Sequence, residues 1–144
     1  MSPAIRDLAR VADFKKLLVW QKAHVLALEI HRAATEIRGG EYVSLRSQLI
    51  RAAMSIPANI VEGRSQESKR EFARYLRIAV NSASELEYHL ITARDIGVMR
   101  KTDALALLGQ LIEVRKMLHG LLNYARGTSS PSEASEPPTT PPGS

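Results

Sequence analysis

Apolar residues recur at three- and four-residue steps along four separate stretches of this chain, the spacing that gathers side chains on one face of an α-helix. In the first stretch the series is Trp20, Ala23, Ala27, Ile30, Ala34 and Ile37, and Gly39-Gly40 closes it. The second runs through Leu45, Leu49, Ala52, Ile56 and Ile60 and ends near Gly63. Pro57 lies inside it, where a missing backbone donor is expected to kink the helix. The third opens on Ser68-Lys69-Arg70-Glu71, a capping box in which the Ser and Glu side chains satisfy free amide groups. It continues through Phe72, Leu76, Ala79, Ala83, Leu86 and Leu90 and stops at Gly97. The fourth starts at Thr102 or Asp103 and carries Leu107, Leu108, Leu111, Val114, Leu118, Leu121 and Leu122. No stretch alternates apolar and polar positions as a strand would, no repeat of solenoid length occurs, and the connections are short. The pattern predicts an all-α fold, an antiparallel up-down four-helix bundle over residues 14–126.

Residues 1–13 read as a flexible N-terminal arm. Residues 127–144 read as a disordered tail, because five prolines and a single aliphatic side chain, Ala134, offer too little apolar surface to offset the entropy of ordering. Within the bundle, two helices are more apolar than a solitary bundle needs. A core-facing helix requires an apolar stripe about 100° wide. The fourth helix adds Leu105, Ile112 and Met117 off its main line, and the first adds Leu18, Val25 and Leu28. That surplus predicts self-association.

Composition narrows the chemistry. The 144 residues include no cysteine, which excludes a disulfide scaffold, a thiolate zinc site and a Cys nucleophile, and suits a reducing cytoplasm. No run approaches the length of a membrane span, and residues 1–11 lack the apolar core of a cleaved export signal, so neither membrane insertion nor export is expected. Residues 127–144 hold two acids and no Lys or Arg, which leaves 20 basic against 13 acidic groups in the other 126 residues. A basic body favours polyanionic partners: RNA, DNA or an acidic protein.

The basic residues are unevenly placed. Arg64, Lys69, Arg70, Arg74 and Arg77 cluster at the junction of the second and third helices, and Arg70, Arg74 and Arg77 share one face at i, i+4, i+7. Arg46 and Arg51 extend the charge along the second helix. Guanidinium forks bind phosphate oxygens bidentately and displace condensed counterions, so this stripe is the candidate nucleic-acid-binding set. Local pairing with Glu67 or Glu71 is the competing arrangement. A second set is polar but mostly uncharged: Gln48, Ser55, Asn59 and Glu62 on the second helix, with Asn81, Ser82, Ser84 and Glu85 on the third. Small polar groups in an Ala-rich bundle can bond across the interface and set its register.

Catalysis finds little support. His24, His31, His89 and His119 form no His-x-x-x-His pair, and no Glu has a His three residues on, as a di-iron bundle requires. Glu85 and His89 can meet on one helix, but a lone pair is not a ligand set. Glu85 and Glu87 point to different faces, and the glycines form no phosphate-cradling loop. Neither enzyme activity, cofactor nor metal is expected.

Three runs carry a resemblance: residues 17–23 (LLVWQKA); residues 47–63 (SQLIRAAMSIPANIVEG), which include the specific string SIPANI-x-EG; and residues 72–79 (FARYLRIA) with 82–87 (SASELE). Together they resemble the four-helix-bundle proteins encoded in intervening sequences of bacterial 23S ribosomal RNA genes, over about residues 14–122. The resemblance implies a ring-like homo-pentamer and kinship with the accessory variability protein of diversity-generating retroelements, a basic pentamer that binds nucleic acid and a reverse transcriptase. It implies no enzymatic activity. Gln48, Arg51, Ser55, Pro57, Asn59, Glu62, Gly63 and Glu85 fall on the shared motif. A structural role is implied for them: Pro57 and Gly63 shaping the end of the second helix, Asn59 and Glu62 bonding to the facing helix. Val61 stands where the family usually has Ala, and Ile37-Arg38-Gly39-Gly40 replaces a turn containing Phe-Pro. The resulting expectation is a non-enzymatic, oligomeric bundle that binds RNA or DNA with little sequence selectivity. The alternative is a scaffold or adaptor for a protein partner, for example a reverse transcriptase.

Overall fold

A computed structural model describes residues 17–127. The arm, residues 14–16 of the expected bundle and the tail beyond residue 127 lie outside the described residues. Among those described, the regular structure is helical throughout: α1 (Leu18–Thr35), a 3₁₀ turn (Gly40–Tyr42), α2 (Val43–Arg64), α3 (Lys69–Asp95) and α4 (Lys101–Ala125). Each periodic stretch corresponds to one helix.

The connections explain where the helices stop. The amide groups of Glu36 and Ile37 donate to the carbonyls of Ala33 and Ala34, tightening the last turn of α1. Gly39 then adopts φ 112°, open to glycine and rarely to other residues, and the chain turns. Arg46 reaches back from α2, donating from Nη1 to the carbonyls of Ile37 and Gly39 at 2.9 Å each. At the start of α3 the Ser68 hydroxyl accepts from the Glu71 amide at 3.1 Å, the serine half of the expected capping box, while the Glu71 carboxylate accepts from Arg74 instead. The far end of α3 closes with Gly97 at φ 82°, the Gly97 amide on the Arg94 carbonyl and the Val98 amide on that of Ala93, a Schellman arrangement. Pro57, where a kink was expected, lies inside α2, which runs as one helix through it. The ring is buried and the Ala53 carbonyl forgoes its usual donor, while packing on both sides holds the helix together.

Each helix packs on the next, and α1 also packs on α4, so the four enclose one core. At its centre Leu26, Ile30, Leu49, Ile56, Leu76, Leu86, Leu111 and Leu118 are fully buried. Burial of each such side chain contributes about 1.5–3 kcal/mol. The seam between α2 and α3 is the most extensive contact between helices among the described residues. The Ser55 and Ser82 hydroxyls bond across that seam at 2.8 Å. At Gly63 the fit is tightest, since an added Cβ would lie 3.0 Å from Phe72 Cδ2 and from Tyr75 Cβ.

Gly63→Ala is therefore expected to cost about 1–3 kcal/mol. Urea denaturation should show a lower midpoint with native helicity retained. An unchanged midpoint would mean that Phe72 and Tyr75 yield freely.

Candidate nucleic-acid interface

The core positions of α3 fix its rotation. With Phe72, Leu76 and Ala79 turned inward, Arg70, Arg74 and Arg77 emerge on an exposed stripe beside the last turns of α4. Two open depressions lie there side by side. One, of about 560 Å³, is lined by Lys69, Arg70 and Arg77 of α3 together with Ala125 and Arg126 at the end of α4. The other, of about 480 Å³, is lined by Arg74, Arg77 and Asn81 facing His119, Leu122 and Arg126. Arg77 and Arg126 belong to both, so the two form one groove. Among the described residues, no carboxylate lines either part.

Pairing within the groove is slight. Arg74 Nε bonds Glu71 Oε2 at 3.0 Å, and this carboxylate raises the Arg74 pKa above its ordinary value, first through the hydrogen bond and then through charge. The same guanidinium lies 4.5 Å from the Tyr75 ring centroid. Arg70, Arg77 and Arg126 are exposed and form no ion pair with a described residue. The positive N-terminal end of α3 and the negative C-terminal end of α4 meet here, so their helix dipoles offset one another and the side chains supply the positive field. Charge reverses on the other flank of α4, where Glu29, Glu36 and Asp103 line a cleft of about 270 Å³ against α1.

The other predicted binding residues lie elsewhere. Arg46 holds the α1–α2 turn. Arg51 binds the carboxylate of Glu85 across the α2–α3 seam and also donates to Gln48 Oε1 at 2.7 Å. Arg64 stands 6.0 Å from the Phe72 ring centroid, at the end of α2. Arg126 was not singled out in the sequence, and His119 was weighed only as a metal ligand, although their seven-residue spacing places them on one face of α4.

The shared-motif residues act within the seam. Asn59 Nδ2 donates to the carbonyl and hydroxyl of Ser55 on its own helix, at 2.7 and 3.0 Å, instead of reaching the facing one. The cross-helix bond belongs to Ser55 and Ser82. Glu62 is exposed, and its carbonyl accepts from Ser65 Oγ and Gln66 Nε2 where α2 ends. Glu85 joins Arg51 while Glu87 joins Arg115 of α4, so the two carboxylates do face different helices. His89 Nε2 lies 3.7 Å from Glu85 Oε1, buried and without a hydrogen-bond partner. Among the described residues no group of three His, Asp or Glu is placed to hold a metal, and no helix is long and apolar enough to cross a membrane.

Four helices around one core, with a cationic groove as the most distinctive surface, define a small all-α bundle protein. The chain belongs to the 23S rRNA-intervening sequence protein family, whose model matches residues 15–120. Among solved structures it is similar to a protein of unknown function from the S23 ribosomal protein family of Bacteroides thetaiotaomicron, with TM-score 0.69 and 24% identity over 73% of this chain and 98% of that one. At that identity the likeness bears on fold alone. A comparison with curated proteins finds no match.

The different surroundings of Arg46 and Arg51 predict different costs of removal. Arg46→Met deletes two charge-assisted bonds to carbonyls and should lower stability by about 1–2 kcal/mol. Arg51→Met breaks an exposed pair and should change it by less than about 1 kcal/mol. Urea midpoints of the two variants, compared at equal helicity, check the contrast.

Proposed function

We propose that this protein is a non-enzymatic, self-associating antiparallel bundle that binds RNA or DNA through the groove between α3 and α4. One observation carries the reading: Lys69, Arg70, Arg74, Arg77 and Arg126 converge on a single groove that no carboxylate lines among the described residues. A phosphate backbone presents regularly spaced negative charge to such a surface. Each contact in water is worth only about 1 kcal/mol, so affinity needs several together, and a groove that collects them supplies that. Contacts of this kind position a nucleic acid without reading its bases, and the binding has little sequence selectivity.

The antiparallel arrangement is supported by how residues pair along the helices. Arg51 meets Glu85 while Ser55 meets Ser82, and Lys22 meets Glu113 while Glu29 meets Gln110, so one number rises as the other falls. Self-association is supported by Leu18, Val25 and Leu28 on α1 and Leu105 and Ile112 on α4, all exposed within the single chain. Gly109 and Gly120 of α4 add to this: a Cβ at either would meet nothing within 4 Å, so no neighbour in the described chain demands glycine there. A ring-like homo-pentamer, the assembly the family resemblance implies, would cover these surfaces. A scaffold role has one observation of its own, the groove of about 340 Å³ that Leu18, Val25 and Val114 share between α1 and α4. Light scattering at micromolar concentrations should give a multiple of the chain mass; the mass of one chain would contradict the assembly.

Nucleic-acid binding is tested by fluorescence anisotropy with labelled RNA and DNA across a salt series. Affinity should fall steeply with salt, and the R70Q/R77Q/R126Q triple variant should flatten the log–log slope by about 2 to 3 at native helicity. Arg51→Gln should leave the slope unchanged. Affinity that is absent, or indifferent to salt, overturns the reading.

A further inference from the structure

The groove does not end at Arg126. Lys69 and Ala125 also line an adjoining cleft of about 200 Å³, which passes Tyr124 and reaches Arg64 and Glu67 at the end of the bundle. Tyr124 stands where the two meet, 43% exposed, with the Lys69 ammonium 5.1 Å from its ring centroid. An aromatic face thus lies beside the cationic track, at the solvent boundary, engaged by an exposed lysine.

Resting on the nucleic-acid reading above, we infer that the groove takes single-stranded nucleic acid in preference to duplex, with one base stacked on Tyr124. The stretch of α3 from Lys69 to Arg77 is eight residues along, about 12 Å of helix, a short track that suits a few successive phosphates. A duplex keeps its base faces inside the stack and can offer this surface its phosphates alone. A single strand offers both, and stacking on an aromatic ring tolerates any base because every base has a π-face. The Lys69 ammonium holds the ring in the free protein by a cation–π contact, a weak interaction at an exposed site. A stacking base takes that place, and the displaced ammonium moves onto the adjoining phosphate. The exchange gains a stacking contact and an ion contact in one event, and it needs a strand whose bases are free to turn outward.

The test compares a labelled oligo-dT strand with a duplex carrying the same number of phosphates, at one salt concentration, on the full-length protein. Wild type should bind the single strand more tightly. Tyr124→Ala should weaken single-strand binding roughly 5- to 150-fold while leaving duplex affinity unchanged, and Tyr124→Phe should retain the preference. Tyr124→Leu keeps apolar bulk without a π-face and should behave as Tyr124→Ala, which separates stacking from folding, with helicity monitored for each. Equal binding of strand and duplex, or a Tyr124→Ala effect of the same size on both, overturns the inference and leaves the cationic groove intact. Binding of neither probe by wild type overturns the inference together with the reading beneath it.

Discussion

The close approach of α2 to α3 is the constraint on which the rest of the bundle depends. Gly63 lies against Phe72 and Tyr75, and the Ser55 and Ser82 hydroxyls bond across the same seam. Bulkier residues at the seam would push the helices apart and break that bond. Register and rotation follow from it. Once Ala79, Ser82, Ala83 and Leu86 are turned into the core, the stripe through Arg70, Arg74 and Arg77 has only one place to go, outward beside α4. A packing requirement among apolar and hydroxyl groups thereby decides where positive charge is displayed.

The arginines divide according to what stands near them. Arg46 and Arg51 are held by carbonyls and a carboxylate, and they stabilise the turn and the seam they span. Arg70, Arg77 and Arg126 are exposed along the same groove, where their fields add. The acidic cleft on the other flank of α4 sharpens the distinction, because it sets negative charge on one side of that helix against positive charge on the other. Net charge alone conveys none of this. The chain carries +5 overall, and its effect depends on the segregation of charges between two faces of one helix.

Much of the architecture was legible in the sequence because helices announce themselves locally. The three- and four-residue steps, the Ser68 cap and the Gly39 and Gly97 stops depend on neighbours within a turn or two, and each of the four stretches became a helix close to its expected bounds. Pro57 leaves α2 continuous because a missing donor is a local cost, whereas the packing that keeps the helix whole is tertiary. Asn59 misled: spacing shows which face a side chain lies on, not whether its own helix will satisfy it first. The groove was half legible. Its α3 wall was readable as a stripe, but Arg126, His119 and Tyr124 lie some fifty residues further on and join it only through helix packing. The fate of Arg46 and Arg51 was equally hidden, since charge in a sequence does not reveal its partner.

An NMR titration maps directly where a polyanion would touch the surface. Adding a short oligonucleotide to isotope-labelled protein at low salt should shift backbone amide signals of residues 69–77 and 119–127 and leave those of Glu29, Glu36 and Asp103 in place. Shifts centred on the α1–α2 face, or none at all, would contradict binding in the groove between α3 and α4.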